Sequence, residues 1–323
     1  GGGLGFHTEY GRPHAEVEAL RAAGAAARGS TVYVTLEPCS HHGKTPPCTD
    51  AILAAGVRRV VFAASDPNPK AAGGGEVLRA AGLEVLGGVE EGAALDLNAP
   101  FFHAYGPAGA GRPWVELKLA LSLDGRITDR EGRSAWITAE AAREEVHRLR
   151  AGFDAVAVGI GTALADDPRL TVRGPVEPRV PPARVVFDRA LRLPVDGYLA
   201  RTAREIPVVV VAAPDAPAER REALEREGVR IVAAAGLEEG LRELRGTGIG
   251  SVFCEGGARL AGALLDTGRV DRLHLFYAPL LLGPEGASPF GRLESPAIDA
   301  ARRWRRLRTG AFGPDTLITL ARE

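Results

Sequence analysis

Three metal-ligating side chains lie in two short stretches of this chain, and any fold it adopts must bring those stretches together. The first stretch is His14-Ala15-Glu16, and the second is Pro38-Cys39-Ser40-His41-His42-Gly43-Lys44-Thr45-Pro46-Pro47-Cys48. His14 opens an apolar-periodic helix with Val17, Leu20 and Ala23 on one face, ending near Arg28-Gly29. The second stretch follows a β-run over 31–36 and passes into a helix over 48–55. One histidine and two cysteines supply three ligands to a tetrahedral Zn²⁺ and leave the fourth position to water. Glu16, two residues after the histidine, can take a proton from that water and return it to a leaving amine. Cysteines near the start of a helix also gain from its dipole, which stabilises thiolates. A fourth protein ligand, His41 or His42, would instead close a structural site and give Glu16 no task.

H-x-E followed by P-C…C is the pattern of the zinc nucleobase deaminases. Their usual spacing, P-C-x-x-C, is expanded here by the insertion S-H-H-G-K-T-P-P between Cys39 and Cys48. That insertion resembles the bifunctional riboflavin-biosynthesis deaminase/reductase family, known as RibD or RibG. The resemblance implies that His7 and Lys44 bind a ribose phosphate. Lys44 lies between metal ligands, where a cation is electrostatically awkward until an anion arrives. Asp66-Pro67-Asn68-Pro69 reads as a turn and also has a counterpart in the family; no chemistry is assigned to it.

Beyond the metal stretch the pattern alternates: a strand over 58–64, a helix near 75–81, a strand over 83–86 and a helix near 90–104. Such alternation predicts helices packed on a central sheet. Gly106-Pro107-Ala108-Gly109-Ala110-Gly111-Arg112-Pro113 then reads as a linker, dividing the chain into domains at 1–108 and 112–323. The pattern restarts with a strand over 114–121. Its period of two places Val115, Leu117, Leu119 and Leu121 on one face and Glu116, Lys118 and Ala120 on the other. Lys118 is either an edge-strand gatekeeper or a residue pointing into a polar site. Thr138 is the expected N-cap of a helix running to Arg150, a residue that could itself cap that helix dipole. Strand 251–254 runs into Glu255-Gly256-Gly257, a glycine turn that opens a helix and offers N–H groups to a phosphate.

In this order, these stretches resemble the reductase half of the same family, with a dihydrofolate-reductase-like fold and NADPH as cofactor. The expected architecture is therefore α/β, a cytidine-deaminase-like first domain joined to a dihydrofolate-reductase-like second. The resemblance places Ala120, Trp136, Thr162 and Asp166 against NADPH, with Gly257, Ala258, Arg259, Leu260, Ala261, Gly262 and Ala263. It places Lys118, Ser134, Arg150, Leu170, Arg173 and Glu255 on the substrate. Two arginines converging on a sugar phosphate suit charge-assisted, bidentate recognition.

The chain of 323 residues is 45% hydrophobic and 25% charged with net charge −1, a globular composition without a basic footprint for nucleic acid. No apolar run is long enough to span a bilayer and no signal peptide is visible, so a membrane partner is not expected. Three cysteines do not make a disulfide framework; two are assigned to metal and Cys254 reads as a buried small hydrophobe, so a reducing cytoplasm is expected. The arginine cluster 302–306 reads as a solvated edge strand, and 219–227 as a charged helix face. The implied partners are small pyrimidine ribosylamine phosphates, with self-association through the reductase domain. The chain opens Gly1-Gly2-Gly3 and contains no Met, whereas in the family a helix and a strand precede the stretch matching Gly3-Leu4-Gly5-Phe6-His7. A deaminase domain lacking those elements, impaired in deamination and joined to a competent reductase, is the expectation. The rivals are a nucleic-acid-editing deaminase, which needs a basic aromatic groove, and a zinc-stapled binding module, which needs four protein ligands.

Overall fold

The computed structural model describes residues 2–322 except 9–10, 135–136, 175, 292 and 294–295. Trp136, expected against the cofactor, lies outside the described residues. The chain divides into two compact units, Gly1–Pro107 and Ala108–Glu323. No helix among the described residues is long and apolar enough to cross a membrane.

The first unit alternates helix and strand as expected: α1 (Ala15–Ala23), β1 (Thr31–Leu36), α2 (Cys48–Ala54), β2 (Arg59–Ala64), α3 (Gly74–Ala80), β3 (Glu84–Gly87), α4 (Glu91–Leu97) and α5 (Ala99–Tyr105). The three strands form a parallel sheet in the order β1-β2-β3, with Val32 opposite Val60 and Val60 opposite Val85. Helices join consecutive parallel strands because a parallel pair needs a long crossover. Ile52, Val57, Val60 and Leu78 form the core beneath them, with Leu20, Val32 and Val85 packed around it. Two boundaries differ from the sequence reading. The first helix leaves α geometry at Gly24 and continues to Ala27 as a 3₁₀ turn. The single helix expected over 90–104 is two helices that meet at Asn98, because Pro100 in the first turn of α5 has no N–H to continue the α4 ladder.

The second unit contains β4 (Trp114–Ser122), α6 (Glu140–Arg150), β5 (Ala155–Gly159), α7 (Ile160–Asp166), β6 (Ala183–Phe187), α8 (Tyr198–Arg201), β7 (Val208–Ala212) and α9 (Ala218–Arg226). It continues with β8 (Arg230–Ala233), α10 (Leu237–Gly246), β9 (Ser251–Cys254), α11 (Ala258–Asp266), β10 (Arg272–Ala278), β11 (Trp304–Phe312) and β12 (Asp315–Arg322). One nine-stranded sheet runs β11-β12-β10-β4-β9-β5-β6-β7-β8. Seven neighbours from β10 to β8 are parallel, and β12 is antiparallel to both β10 and β11. Val115, Leu117, Leu119 and Leu121 of β4 pack against Leu260, Leu264 and Leu265 of α11, so the apolar face of the strand is core. The arginine-rich stretch at 304–306 belongs to β11, an edge of the sheet, as expected for solvated arginines.

β4 sits between β9 and β10, so the edge-strand reading of Lys118 is excluded. On its polar face Glu116 is buried and paired, while Lys118 and Ala120 are half-buried. Glu116, 3% exposed, accepts from Trp114 Nε1 (2.8 Å) and pairs with Arg272 (3.1 Å) and His274 Nε2 (2.5 Å). Burial alone would raise the Glu116 carboxyl, but His274 and Arg272 hold it below the ordinary value. Thr138 does not cap α6 either. The N-cap is Ala139, whose N–H donates to Asp315 Oδ2 at 2.6 Å, so the cap comes from β12.

Candidate active sites

His14, Cys39 and Cys48 converge in the first unit. His14 Nδ1 lies 3.5 Å from Cys39 Sγ and 3.2 Å from Cys48 Sγ, and the three ligand atoms are all within 4.8 Å of one another. Zinc bonds of about 2.3 Å to sulfur and 2.0 Å to nitrogen at tetrahedral angles imply nitrogen–sulfur separations of roughly 3.6 Å. The donor set and its spacing therefore fit zinc. Among the described residues neither His41 nor His42 joins the cluster, so the arrangement is the open, three-ligand kind.

Local structure explains the convergence. His14 sits immediately before α1, Cys39 follows the end of β1 by three residues, and Cys48 is the first residue of α2. The Cys48 N–H donates to Cys39 Sγ at 3.4 Å. Hydrogen bonding with Cys48 and His14 lowers the Cys39 thiol to about 4 against the opposing effect of burial. The same shared contact and burial push Cys48 up, so without a cation only one of the pair is readily a thiolate. Glu16 is 8% exposed on the first turn of α1, and burial raises its carboxyl. His7 packs edge-on against His14 with ring centroids 5.2 Å apart. The segment carrying His7 can lie flush on α1 because residues 3 and 5 are glycines: a Cβ there would meet Ala19 O at 2.0 Å and Ala15 O at 2.2 Å. Lys44 is exposed, its stem close to Gly11 in the turn before His14.

The sequence reading overlooked Glu37. This buried acid accepts from Gly75 N–H (2.9 Å) and Asp66 N–H (3.3 Å), fastening the chain just before Cys39 to the start of α3 and to the turn at 66–69. An acid directly before Pro38-Cys39 at a strand end was the available signal.

In the second unit a cleft of about 970 Å³ opens at the carboxyl ends of β4, β5, β6, β7 and β9. That is where open α/β sheets bind ligands. Ala120, Thr162, Asp166, Gly257, Ala258, Arg259, Leu260 and Ala263 line it, as do Lys118, Ser134, Arg150, Leu170 and Glu255. Ala261 and Gly262 do not. Both are buried in α11. Gly257 caps α11 close to Thr162: a Cβ on it would stand 3.1 Å from Thr162 Oγ1.

Arg150 is already engaged. Its Nε and Nη2 both bond Glu255, the latter at 3.0 Å, and its Nη1 donates to Thr171 O at 2.7 Å. It therefore does not cap its own helix. Burial would raise Glu255, yet Arg150 and Lys118 hold it below the ordinary carboxylate range. Burial lowers Lys118, opposed by Glu255. Arg173 does not line the cleft; it lies near Arg150, and burial and that like charge lower it. Asp188 and Arg192, which the sequence reading did not single out, line the cleft beyond β6. The Asp188 carboxylate is 1% exposed, accepts from Leu193 N–H at 2.8 Å and lies 4.0 Å from Arg192. Its position directly after an apolar strand was the signal.

Comparison with known proteins agrees with this division. The cytidine and deoxycytidylate deaminase zinc-binding region matches residues 3–64, and the RibD C-terminal domain matches residues 113–318. The riboflavin biosynthesis protein RibD of Aquifex aeolicus is 41% identical over 99% of this chain and 88% of its own length. The solved RibD of Acinetobacter baumannii (form 1) is similar with a TM-score of 0.83 and 39% identity, covering 99% of this chain and 88% of that one. The diaminohydroxyphosphoribosylaminopyrimidine deaminase/5-amino-6-(5-phosphoribosylamino)uracil reductase of Thermotoga maritima gives a TM-score of 0.83 at 34% identity, with the same coverage. Both expected domain types are thus present on one α/β chain, one binding zinc and the other of the NADPH-dependent reductase kind. Identity sustained through both of them makes this chain a member of the RibD family of riboflavin biosynthesis proteins.

Proposed function

We propose that the chain performs two consecutive reactions of riboflavin biosynthesis. The first unit hydrolyses the 2-amino group of 2,5-diamino-6-ribosylamino-4(3H)-pyrimidinone 5′-phosphate. The second reduces the product, 5-amino-6-(5-phosphoribosylamino)uracil, to the ribitylamino compound. The observation that carries the reading is the buried Glu16 on the first turn after His14, one of three protein ligands that leave a metal position open. A reductase with an inert zinc staple would have no use for it.

Zinc held by His14, Cys39 and Cys48 supplies Lewis acidity and lowers the pKa of a water. Glu16 accepts the proton that water loses and delivers it to the departing amino group, which leaves as ammonia while a carbonyl takes its place. Burial, by favouring the protonated carboxyl, suits a group that holds a proton between two transfers. His7 and Lys44 are assigned to the ribose phosphate at this site.

In the second unit NADPH supplies the hydride, and the protein's task is to hold the nicotinamide against C1′ of the sugar. Ala120, Trp136, Thr162, Asp166 and the face of α11 formed by 257–260 and 263 are assigned to the cofactor. N–H groups at the start of α11 suit its pyrophosphate. Lys118, Ser134, Arg150, Leu170, Arg173 and Glu255 are assigned to the substrate. With Arg150 held by Glu255, the substrate phosphate falls chiefly to Arg173. A cytoplasmic setting and self-association through the second unit belong to the same reading. Three unpaired cysteines suit a reducing compartment, and sedimentation velocity tests the association.

The test is to supply the zinc-loaded protein with the diaminopyrimidine phosphate and NADPH, following ammonia release and NADPH oxidation together. Ammonia release followed by NADPH oxidation is expected. Oxidation only when the deaminated compound is supplied would reduce the chain to a reductase, and ammonia release without oxidation would reduce it to a deaminase.

A further inference from the structure

The loop that follows α7 is held against α6 at two points, three residues apart on one helix face. Arg150 Nη1 donates to Thr171 O at 2.7 Å, and His147 Nδ1 accepts the backbone N–H of Arg173 at 3.1 Å. This loop does not hold its own shape. Asp167 and Leu170 sit at φ of 37° and 52°, the left-handed region that a Cβ disfavours. Asp167 is fastened by the Tyr198 N–H to its carboxylate (2.8 Å), and Leu170 by burial in the core at 4% exposure. Those anchors secure the beginning of the loop. Among the described residues, the His147 contact is the hydrogen bond that secures the backbone of Arg173.

The charges at this end are unequal. Glu255 engages Arg150, whereas no carboxylate among the described residues pairs with Arg173. A cation without a carboxylate partner beside Arg150, which lines the cleft, is a site for an anion. Its aim depends on where the Arg173 backbone is held.

We propose that His147 is a positioning residue for the substrate phosphate: by accepting the Arg173 amide through Nδ1 it fixes the loop end from which the Arg173 guanidinium reaches that phosphate. The inference rests on the reductase reading above. An imidazole accepts at Nδ1 only when that nitrogen carries no proton. Burial, Arg150 and Arg173 push His147 down to about 4, so the acceptor persists at neutral pH.

The experiment compares His147→Ala and His147→Asn with wild type in steady-state NADPH oxidation, using the phosphorylated substrate and its dephosphorylated counterpart. The half-buried position on a helix tolerates alanine, and the Asn amide oxygen can take the place of Nδ1. Loss of one hydrogen bond to a loop predicts a KM for the phosphorylated substrate raised roughly fivefold to tenfold in His147→Ala. The expected companions are unchanged kcat, unchanged NADPH affinity, unchanged KM for the dephosphorylated compound and recovery in His147→Asn. Adding His147→Ala to Arg173→Ala should have no further effect, because the two act on one contact. An unchanged KM, an equal rise for both substrates, or an Asn variant as impaired as Ala overturns the assignment. Ribose 5-phosphate binding, measured by calorimetry on the same variants, makes the comparison without turnover. Wild type that binds ribose 5-phosphate in a His147-dependent way but oxidises no NADPH would sink the reductase reading and leave the positioning role standing.

Discussion

Gly74→Ala adds a single methyl group far in sequence from the metal ligands, yet the structure predicts that it disables the zinc site. A Cβ at Gly74 would lie 1.7 Å from Pro38 O and 2.9 Å from Pro38 C. Bringing the first contact to 3.0 Å, the floor for real Cβ contacts, requires about 1.3 Å of separation between α3 and the end of β1. Neither side can yield freely. Glu37 accepts from Gly75 N–H at 2.9 Å, the Ser40 N–H donates to Ala71 O at 3.3 Å, and Ser40 Oγ donates to Ala72 O at 3.1 Å. Cys39 lies between those tethers. If even half the displacement passes to it, the shift exceeds the ~0.2 Å tolerance of a metal–ligand bond. Altering residues that merely support ligands typically lowers metal affinity 10–100-fold, so a displaced ligand should cost on the order of 100-fold. The overpacking should also destabilise the first unit by about 1–3 kcal/mol. Competition with a chromogenic chelator reads the affinity and ammonia release reads the activity. NADPH oxidation with the deaminated substrate serves as the internal control. Gly92→Ala is the companion: nothing lies within 4 Å of its Cβ, so it should leave zinc binding untouched and gain up to about 1 kcal/mol in helix propensity. Zinc affinity in Gly74→Ala equal to that of wild type would refute the reasoning.

Three other outcomes are expected. Glu16→Gln should retain zinc by metal analysis yet lose ammonia release by about 10²–10⁴, because an amide cannot receive the proton; normal release would remove Glu16 from the reaction. Gly257→Val should weaken NADPH binding in a fluorescence titration without affecting zinc, since even the first carbon stands 3.1 Å from Thr162 Oγ1; unchanged affinity would make this a packing glycine only. Glu116 has a folded value below its ordinary 4.5, so the stability it contributes is complete above that pH and is lost as pH falls through the depressed value. Denaturant midpoints of Glu116→Gln should therefore depend less on pH in this acid range than those of wild type, and an identical dependence would place the acid sensitivity elsewhere.

Local chemistry along the chain was enough to single out the three side chains that converge on the candidate metal site, the alternation of strands and helices, and the change of pattern beyond the 106–113 stretch. A His-x-Glu on one side and Pro-Cys with a second Cys on the other restrict chemistry through residue type and order. Hydrophobic period likewise separates strand from helix without reference to anything distant. Where the sequence reading failed locally, as at Pro100, the rule was available: a missing N–H. Other features belong to the tertiary structure alone. Lys118 became a cleft residue because β9 and β10 flank β4, and α6 takes its cap from Asp315, distant in sequence. Arg150 is spoken for by Glu255, His147 meets the Arg173 amide, and Gly74 is a glycine because Pro38 passes against it. Each of these depends on which distant groups come within a few ångströms, and no window of neighbouring residues contains that information.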